Sequence, residues 1–489
     1  MTRVNDILSG LATQGVTVRS LAADSRQVAA GDVFLAYPGE LSDGRAHIDA
    51  ALAQGAAAVV YEAKDASVHV TSAPNLAVEN LRGVVAPLAD TVYGHPSRDL
   101  WVAGVTGTNG KTSTTQWLAE SFARLGKKCA LIGTLGNGFP GELVPSPNTT
   151  PNALTLQKAL RGFLDAGAEA CAMEVSSIGI EEGRVDATRF AVAAFTNFTR
   201  DHLDYHGSME AYAEAKLKLF DWPDLRAAVI NLDDPFSVRI LGRIGGRVPC
   251  IGYTLDEAQA DVTECLSATN LGMHAGGVSF DVNGVSVRSS VIGRFNASNL
   301  LAVMACLRTY GFNLAEAADA VAGLKPPPGR MQVVDPVAGT KDIPLVVVDY
   351  AHTPDALEKV LITLREVAQA RGGKLYCVFG CGGDRDSGKR PMMGAVAERN
   401  ADDVIVTSDN PRTEVPDAII AAIVAGMKKT PRVEVERAVA IRTAIDEATV
   451  NDVVLLAGKG HEDYQEVGSV KLPFSDLREA KSALEARAC

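Results

Sequence analysis

The sequence lacks paired cysteines. Its eight are scattered, no C-x-x-C occurs, and Cys377 and Cys381 have no companions at zinc-ligand spacing. A disulfide scaffold and a zinc module are thereby excluded, and the thiols read as reduced, mostly buried small residues of a cytoplasmic protein. Long apolar runs are missing too: none approaches membrane-spanning length, and the opening MTRVNDILSGLATQG has no apolar signal core. There is no basic surplus. With 47 Lys and Arg against 59 Asp and Glu the net charge is −12, which argues against nucleic acid or a membrane surface as partner. Any anionic substrate must therefore be held by local groups. Internal repeats and low-complexity tracts are also absent.

What is present is a chain of 489 residues, 47% hydrophobic, too long for one core and suggestive of three domains. Two punctuated stretches divide it. YGHPSRD at 93–99 ends a compact segment with short strands such as DVFLAY and AAAVVYE, and KPPPGRMQ at 325–332 can continue neither a helix nor a central strand. The domains expected are 1–97, 98–328 and 329–489. In the second, CALIG, ACAMEV, AVAAFTN and AAVINLDD read as buried strands alternating with helices; in the third, LVVVD, KLYCVFG, DDVIVTSD and DVVLLAG do the same. The fold class is α/β, and functional residues belong at the carboxyl ends of the strands.

One such end reads GVTGTNGKTST, residues 104–114. Trp101 to Thr106 form a short apolar run, and from Lys111 the pattern turns helical, with Leu118, Phe122 and Leu125 on one face and Gly126 as the stop. Gly107 and Gly110 let the backbone approach an anion closely, and the helix N-terminus adds partial positive charge. Lys111 would reach the β- and γ-phosphates, with the Thr112 hydroxyl on Mg²⁺. The standard G-x4-G-K-[ST] spacing is missed, because Val105 stands where its first glycine belongs. The strand–loop–helix context carries the reading instead.

Two further stretches place chemistry at strand ends. AMEVSS sets Glu174 at the edge of an apolar strand, where a carboxylate has no packing role but could hold Mg²⁺. FTNFTRDHLDYHG delivers Asp201, His202, Asp204 and His206 within six positions, dense for a solvated loop. The following helix carries Lys216 and Lys218 among apolar Leu217, Leu219 and Phe220, where a lysine usually snorkels to the surface.

GTNGKTST, NTTP (148–151), MEVSS, TRDHLDYHG, AYAEAK, GRFNASNLLA, PGRMQ, VDYAHTPDAL, GCGGDRDSGKRP, SDNPR and AGKGHEDYQ follow one another along nearly the whole chain. In this set the sequence resembles the Mur ligases of bacterial cell-wall synthesis, in particular the branch that adds 2,6-diaminopimelate. The resemblance implies an N-terminal domain for the UDP-linked precursor, a central ATPase domain of P-loop type and a Rossmann-like C-terminal domain for the amino acid. It also implies the reaction. ATP phosphorylates the γ-carboxylate of D-Glu in UDP-MurNAc-L-Ala-D-Glu, and an amine of meso-diaminopimelate attacks the acyl phosphate.

The resemblance further implies residue roles. Lys111, Glu174, His202 and Lys216 are the catalytic set, with Thr112, Glu174, His202 and Lys216, the last as a CO₂-derived carbamate, holding two Mg²⁺ ions. ATP would be bound by Gly107, Thr108, Asn109, Gly110, Lys111, Thr112 and Ser113, then Asn296 and Asn299 on the adenine side, with Arg330, Asp349, Tyr350 and His352 from the hinge onward. Ser25, flanked by Asp24 and Arg26, lies with Glu40, Leu41 and Ser42 on the uridine pocket. Asn148, Thr149, Thr150, Ser176, Glu182 and Arg184 lie along the muramoyl-peptide. Ile178 and Glu182 depart from the His and Gln frequent in the family, and a carboxylate beside an anionic substrate is unexpected. Arg385, Asp409, Asn410, Pro411, Arg412, Gly458 and Glu462 fall on the diaminopimelate side. A monomer acting on small-molecule substrates is expected. The alternatives are a folylpolyglutamate synthase-like ligase, opposed by Thr112 and the long N-terminal segment, an L-lysine-adding Mur ligase, and a MurF-like one, which would lack DNPR.

Overall fold

The computed structural model describes residues 2–39, 42–64, 73–256, 260–274, 277–334 and 343–488. The chain packs into two compact units, one of residues 1–106, 122–193 and 215–228, the other of 107–121, 194–214 and 229–489.

The first unit opens with a four-stranded parallel sheet in the order Leu21–Ala22, Val33–Ala36, Ala58–Glu62, Asn75–Val78. Alternate residues of its central strands feed two cores: Val33, Leu35, Ala58 and Val60 join one, Phe34, Ala36 and Val59 the other. Further along, Ala170–Glu174 pairs in parallel with Cys129–Gly133 on one side and Trp101–Thr106 on the other. These strands are apolar on both faces and buried almost throughout. Two antiparallel strands, Gly136–Phe139 and Glu142–Val144, extend this group beyond the parallel pattern read from sequence.

The glycine loop of the second unit leads into the helix Lys111–Arg124, whose end, with Gly126 after it at φ +73°, is counted with the first. Strand Cys250–Thr254 runs parallel to Glu264–His274, which begins an antiparallel meander through Gly277–Val282 and Val285–Ser289. A six-stranded sheet follows in the order Gln332–Val333, Leu345–Asp349, Val453–Ala457, Leu375–Phe379, Asp403–Val406, Arg432–Val433, parallel except at its first edge. Its register sets Asp349 beside Ala457, Ala457 beside Phe379 and Phe379 beside Val406. Four strands thus end in line, and the loops 350–353, 380–388, 407–415 and 458–463 leave from one edge of the sheet.

The described cysteines are all free, and all but Cys265 are buried. Burial raises the thiols of Cys377 and Cys381 to about 12, so they are inert structural residues. Among the described residues no helix is long and apolar enough to cross a membrane.

Candidate active site

The glycine loop is held from behind by the chain that follows strand Val192–Phe195. Asn109 N–H donates to Asn197 Oδ1 at 2.9 Å, the Thr196 hydroxyl donates to the Asn109 carbonyl at 2.6 Å, and the Thr108 hydroxyl donates to the Thr199 carbonyl at 3.0 Å. Gly107, at φ +147°, lies so close to the Thr196 hydroxyl that any Cβ would overlap it, and a Cβ on Gly110 would stand 2.6 Å from Asn299 Oδ1. Both glycines are therefore required by close approach as well as by backbone angle. The Lys111 ammonium donates to the carbonyls of Gly107 and Thr108, each at 2.8 Å. Its charge thus sits inside the loop it was expected to serve.

A cavity of about 540 Å³ opens beside this loop, within the usual range for a nucleotide-sized ligand. Asn109, Gly110 and Ser113 line it together with Asn296, Asn299, Arg330, Asp349 and Tyr350, and Trp117, Leu255, Phe295 and Val360 add apolar wall. Eight of the residues assigned to ATP from sequence share one space. Arg330 Nη2 donates to the Thr112 hydroxyl oxygen at 3.1 Å, and its guanidinium lies 4.5 Å over the Tyr350 ring. Asp349 fixes the turn behind them, accepting from Met331 N–H at 2.7 Å and Ala351 N–H at 2.8 Å. Burial raises its pKa despite Arg330 and these two amides. Asp349 therefore anchors the hinge rather than offering a free carboxylate.

The TRDHLDYH loop meets the six-stranded sheet through charge. Asp201, 5% exposed, has His202 Nε2 at 3.4 Å, His352 Nε2 at 3.6 Å and Lys389 Nζ at 3.9 Å. Burial pushes this carboxyl up, but His352, His202 and Lys389 outweigh it and hold the group well below the carboxylate range. Arg200 pairs with Asp386 at 3.1 Å, and Arg385 approaches Asp204 at 3.8 Å. His202 itself is at φ +53°. The dense cluster was legible in the sequence; Lys389, inside the quoted GCGGDRDSGKRP, was passed over.

In the first unit Glu174, 1% exposed, accepts from Thr134 N–H at 2.8 Å and from the Thr134 hydroxyl at 3.2 Å. Thr149 meets the same Thr134 hydroxyl at 3.0 Å. The Thr150 hydroxyl donates to the Glu174 carbonyl at 2.8 Å and accepts from Ser176 N–H at 3.0 Å, while Ser176 Oγ caps the helix Ser177–Glu181. Arg184 donates to the Thr150 carbonyl at 3.0 Å and to Glu182 at 2.6 Å. Glu174, Thr149, Thr150, Ser176, Glu182 and Arg184 therefore form one network. The unexpected carboxylate of Glu182 has a physical reason: it is the counter-ion of Arg184.

Two lysines on one stretch differ sharply. Lys216, at the end of helix Met209–Leu217, is 1% exposed, whereas Lys218 reaches the surface and pairs with Glu181. Only the second behaves as a snorkelling lysine. Among the described residues no group of three His, Cys, Asp or Glu side chains is arranged to hold a metal ion. The candidate donors nevertheless suit Mg²⁺ chemically: Thr112 presents an oxygen that already faces a cation, Glu174 a buried carboxylate, and a carbamate on Lys216 would add anionic oxygens.

On the uridine side, Asp24 caps the turn Ser25–Gln27 and chelates Arg26 in an exposed ion pair. The Ser42 carbonyl accepts from Gly39 N–H at 2.9 Å. Glu40 and Leu41 lie outside the described residues. At Asn148 the carbonyl accepts from Ser146 Oγ at 3.0 Å.

The loops assigned from sequence to the amino acid form a lattice of satisfied charges at the strand ends. Lys459, fully buried, donates to Asn410 Oδ1 at 2.9 Å and to Glu462 Oε2 at 3.0 Å. Asn410 Nδ2 donates to the same Glu462 oxygen at 2.8 Å, and its Oδ1 also accepts from Glu466 N–H. Lys459 thereby fixes which end of the Asn410 amide is oxygen, and both acceptor sites of that oxygen are used. Asn410 can still donate, but its oxygen has no acceptor site left for a further cation. Arg412 pairs with Glu466 at 2.9 Å. Neither Lys459 nor Glu466 was singled out from sequence, although the first lies within AGKGHEDYQ and the second directly follows it.

Residues 17–93, 105–307 and 329–460 match the family models for the Mur ligase family catalytic domain, the Mur ligase middle domain and the Mur ligase glutamate ligase domain. The UDP-N-acetylmuramoyl-L-alanyl-D-glutamate–2,6-diaminopimelate ligase of Chromobacterium violaceum is 52% identical over 477 residues, covering 96% of this chain and 95% of its own. The ligase of the same name from Pseudomonas aeruginosa is 52% identical over 480 residues, covering 97% and 96%. A solved structure of a ligase of that name is 37% identical with a TM-score of 0.65, covering 96% of this chain and 95% of that one. The MurF ligase of Thermotoga maritima in complex with ADP shares the fold, with a TM-score of 0.70 at 20% identity over 96% of this chain and 99% of that one. With three matching segments in order and about half its residues shared with full-length relatives, the chain belongs to the Mur ligase family.

Proposed function

We propose that this chain is an ATP-dependent amide ligase of peptidoglycan synthesis, joining meso-2,6-diaminopimelate to the γ-carboxylate of D-Glu in UDP-MurNAc-L-Ala-D-Glu and releasing ADP and phosphate. The observation that carries the reading is the cavity in which the glycine loop meets Asn296, Asn299, Arg330 and Tyr350, with the Arg412 and Glu462 loops at the ends of the same sheet as Asp349. The relatives' shared name supports the choice of substrates.

A carboxylate is a poor electrophile, and transfer of the γ-phosphoryl group to one of its oxygens makes that oxygen a leaving group. Lys111 and Arg330 neutralise charge as the two anions meet, and the amides at the N-terminus of helix Lys111–Arg124 hold the phosphates. The diaminopimelate amine attacks the acyl carbon, phosphate departs through a tetrahedral intermediate, and the amine proton is lost to give the amide. No protein nucleophile is needed. Thr112, Glu174, His202 and Lys216 as a carbamate would hold Mg²⁺, two ions in this reading, which when bound would screen the phosphates and the carboxylate from each other. Residues 1–97, with Ser25, Glu40, Leu41 and Ser42, would take the uridine end, 98–328 the ATP and the muramoyl-peptide through Asn148, Thr149, Thr150, Ser176 and Arg184, and 329–489 the amino acid. In this reading the reaction belongs to the cytoplasm, where ATP and UDP-linked precursors are found, and the enzyme acts as a monomer. The test is phosphate release with UDP-MurNAc-L-Ala-D-Glu and each of meso-diaminopimelate, L-lysine and D-alanyl-D-alanine in turn. Release with L-lysine preferred over diaminopimelate overturns the assignment.

A further inference from the structure

Arg412 stands at φ +51°, a backbone conformation that an arginine adopts only when its surroundings impose it. What imposes it is the hairpin of Tyr464–Val467 and Val470–Pro473. Arg412 N–H donates to the Glu466 carbonyl at 3.0 Å, and Gly468 N–H donates to the Arg412 carbonyl at 2.8 Å. The side chain is gripped as well: Nε donates to Glu466 Oε2 at 2.9 Å and Nη1 to the Gly383 carbonyl at 2.7 Å. Among the described residues this leaves the Nη2 amino group and the second Nη1 hydrogen unspent, the end of the guanidinium that can take a carboxylate with two parallel bonds. Glu466 reaches the other half of the same motif through its own N–H, which donates to Asn410 Oδ1 at 2.9 Å.

We propose that Glu466 is a positioning residue that determines amino-acid specificity: it locks Arg412 by its Nε edge so that the Nη1/Nη2 end faces the substrate's distal carboxylate. The proposal rests on the reading of Arg412 as the carboxylate-binding group. A free arginine must surrender the freedom of several side-chain torsions on binding, and here that freedom is already lost before substrate arrives. Discrimination then depends on the geometry of the free end, where a second carboxylate gains two bonds and lysine gains none.

The experiment is steady-state kinetics on the full-length enzyme with KM for diaminopimelate, KM for ATP and kcat measured separately. Glu466→Ala should raise KM for diaminopimelate ~10-fold, leave kcat and KM for ATP within about twofold, and weaken the preference over L-lysine. Glu466→Asp keeps charge and fold but sets the carboxylate one methylene short of Nε, and should raise the same KM by ~3-fold. In an Arg412→Ala background, Glu466→Ala should add nothing, because its effect passes through the guanidinium. A KM for diaminopimelate that is unchanged or lowered in both single variants overturns the proposal, the lowered value marking Glu466 as a competitor for Arg412. A further loss in the Arg412→Ala background overturns it too, in favour of a role in supporting the hairpin. If Arg412→Ala itself leaves that KM unchanged, the assignment of Arg412 has failed, an outcome distinct from the failure of Glu466 alone.

Discussion

The surface proposed for the nucleotide and the surface proposed for the amino acid are built by different means in this ligase. Around Gly107 to Ser113 the binding surface is backbone, shaped by two glycines and tied down by hydroxyl and amide bonds from residues 196–199. Around Asn410 to Arg412 it is side chains, and nearly every charge has a partner: Lys459 with Glu462, Arg412 with Glu466. A phosphate chain is recognised by donors and charge that any sequence supplies through a glycine turn. A stereocentre with an ammonium and a carboxylate needs groups fixed in direction, and pairing at least partly withdrawn from water fixes them. Breaking one side should therefore abolish chemistry, and breaking the other should redirect it.

The largest effect is expected on the nucleotide side. Lys111→Ala should fold normally, as checked by thermal melting, and lower phosphate release by ~10²-fold or more, the scale of one lost transition-state charge contact. Near-normal turnover in the folded variant would remove the glycine loop from the mechanism.

Lys216 and Lys218 sharpen the comparison within a single helix end. Lys216→Ala should lose ~10²-fold in kcat and recover part of it with added short carboxylic acids, which can supply the missing oxygens. Lys218→Ala should change activity less than twofold, since its exposed pair with Glu181 contributes little. Equal effects at the two positions, or no response of Lys216→Ala to carboxylic acids, would argue that burial alone distinguishes them.

On the amino-acid side, Arg412→Ala should cut kcat/KM for meso-diaminopimelate by ~10²-fold while ATP affinity stays nearly constant, as follows when one partner of a charged contact is removed. Retention of the diaminopimelate preference would break the contrast between the two sides.

Much of this was legible because parallel strands buried on both faces announce themselves as apolar runs. LVVVD, KLYCVFG and DVVLLAG became the strands Leu345–Asp349, Leu375–Phe379 and Val453–Ala457. The antiparallel additions were not legible. Gly136–Phe139 reads GNGF, with two glycines at positive φ, and Glu264–His274 is polar and half exposed, so neither carries an apolar signature. The candidate site divides likewise. Glycines and strand-end carboxylates declare their chemistry locally, whereas Asp201 acquires its partners His352 and Lys389, and Arg412 its partner Glu466, only when the sheet order brings distant loops together. The reverse also holds for Glu182, whose charge looked misplaced until Arg184 was seen beside it.

The smallest effect concerns stability, at the residue where the two sides touch. His461 lies in the loop after strand Val453–Ala457, its ring 5.4 Å from Tyr350, which in turn carries Arg330 of the nucleotide cavity. Its Nδ1 is buried with no hydrogen-bond partner among the described residues. Burial lowers its pKa from 6.5 to about 4, the positive charge of Arg330 adds to the effect, and Asp463 opposes it only in part. In the unfolded chain the imidazole regains its ordinary value, so between pH 6.5 and about 4 the unfolded state binds a proton that the native state refuses. Stability is therefore complete above pH 6.5, falls as the pH drops towards 4, and loses no more from this group below that. The loss is at most about 3 to 4 kcal/mol, the linkage of a window roughly two and a half pH units wide. Asp201, held well below the carboxylate range, contributes its own loss only at lower pH, which keeps the two windows apart. Denaturant unfolding of wild type and His461→Phe across pH 4 to 8 should show the wild-type slope flattened in the variant, with Arg412→Ala as a control that keeps it. A variant whose stability follows the same pH course as wild type would mean that His461 is not the group that carries this loss.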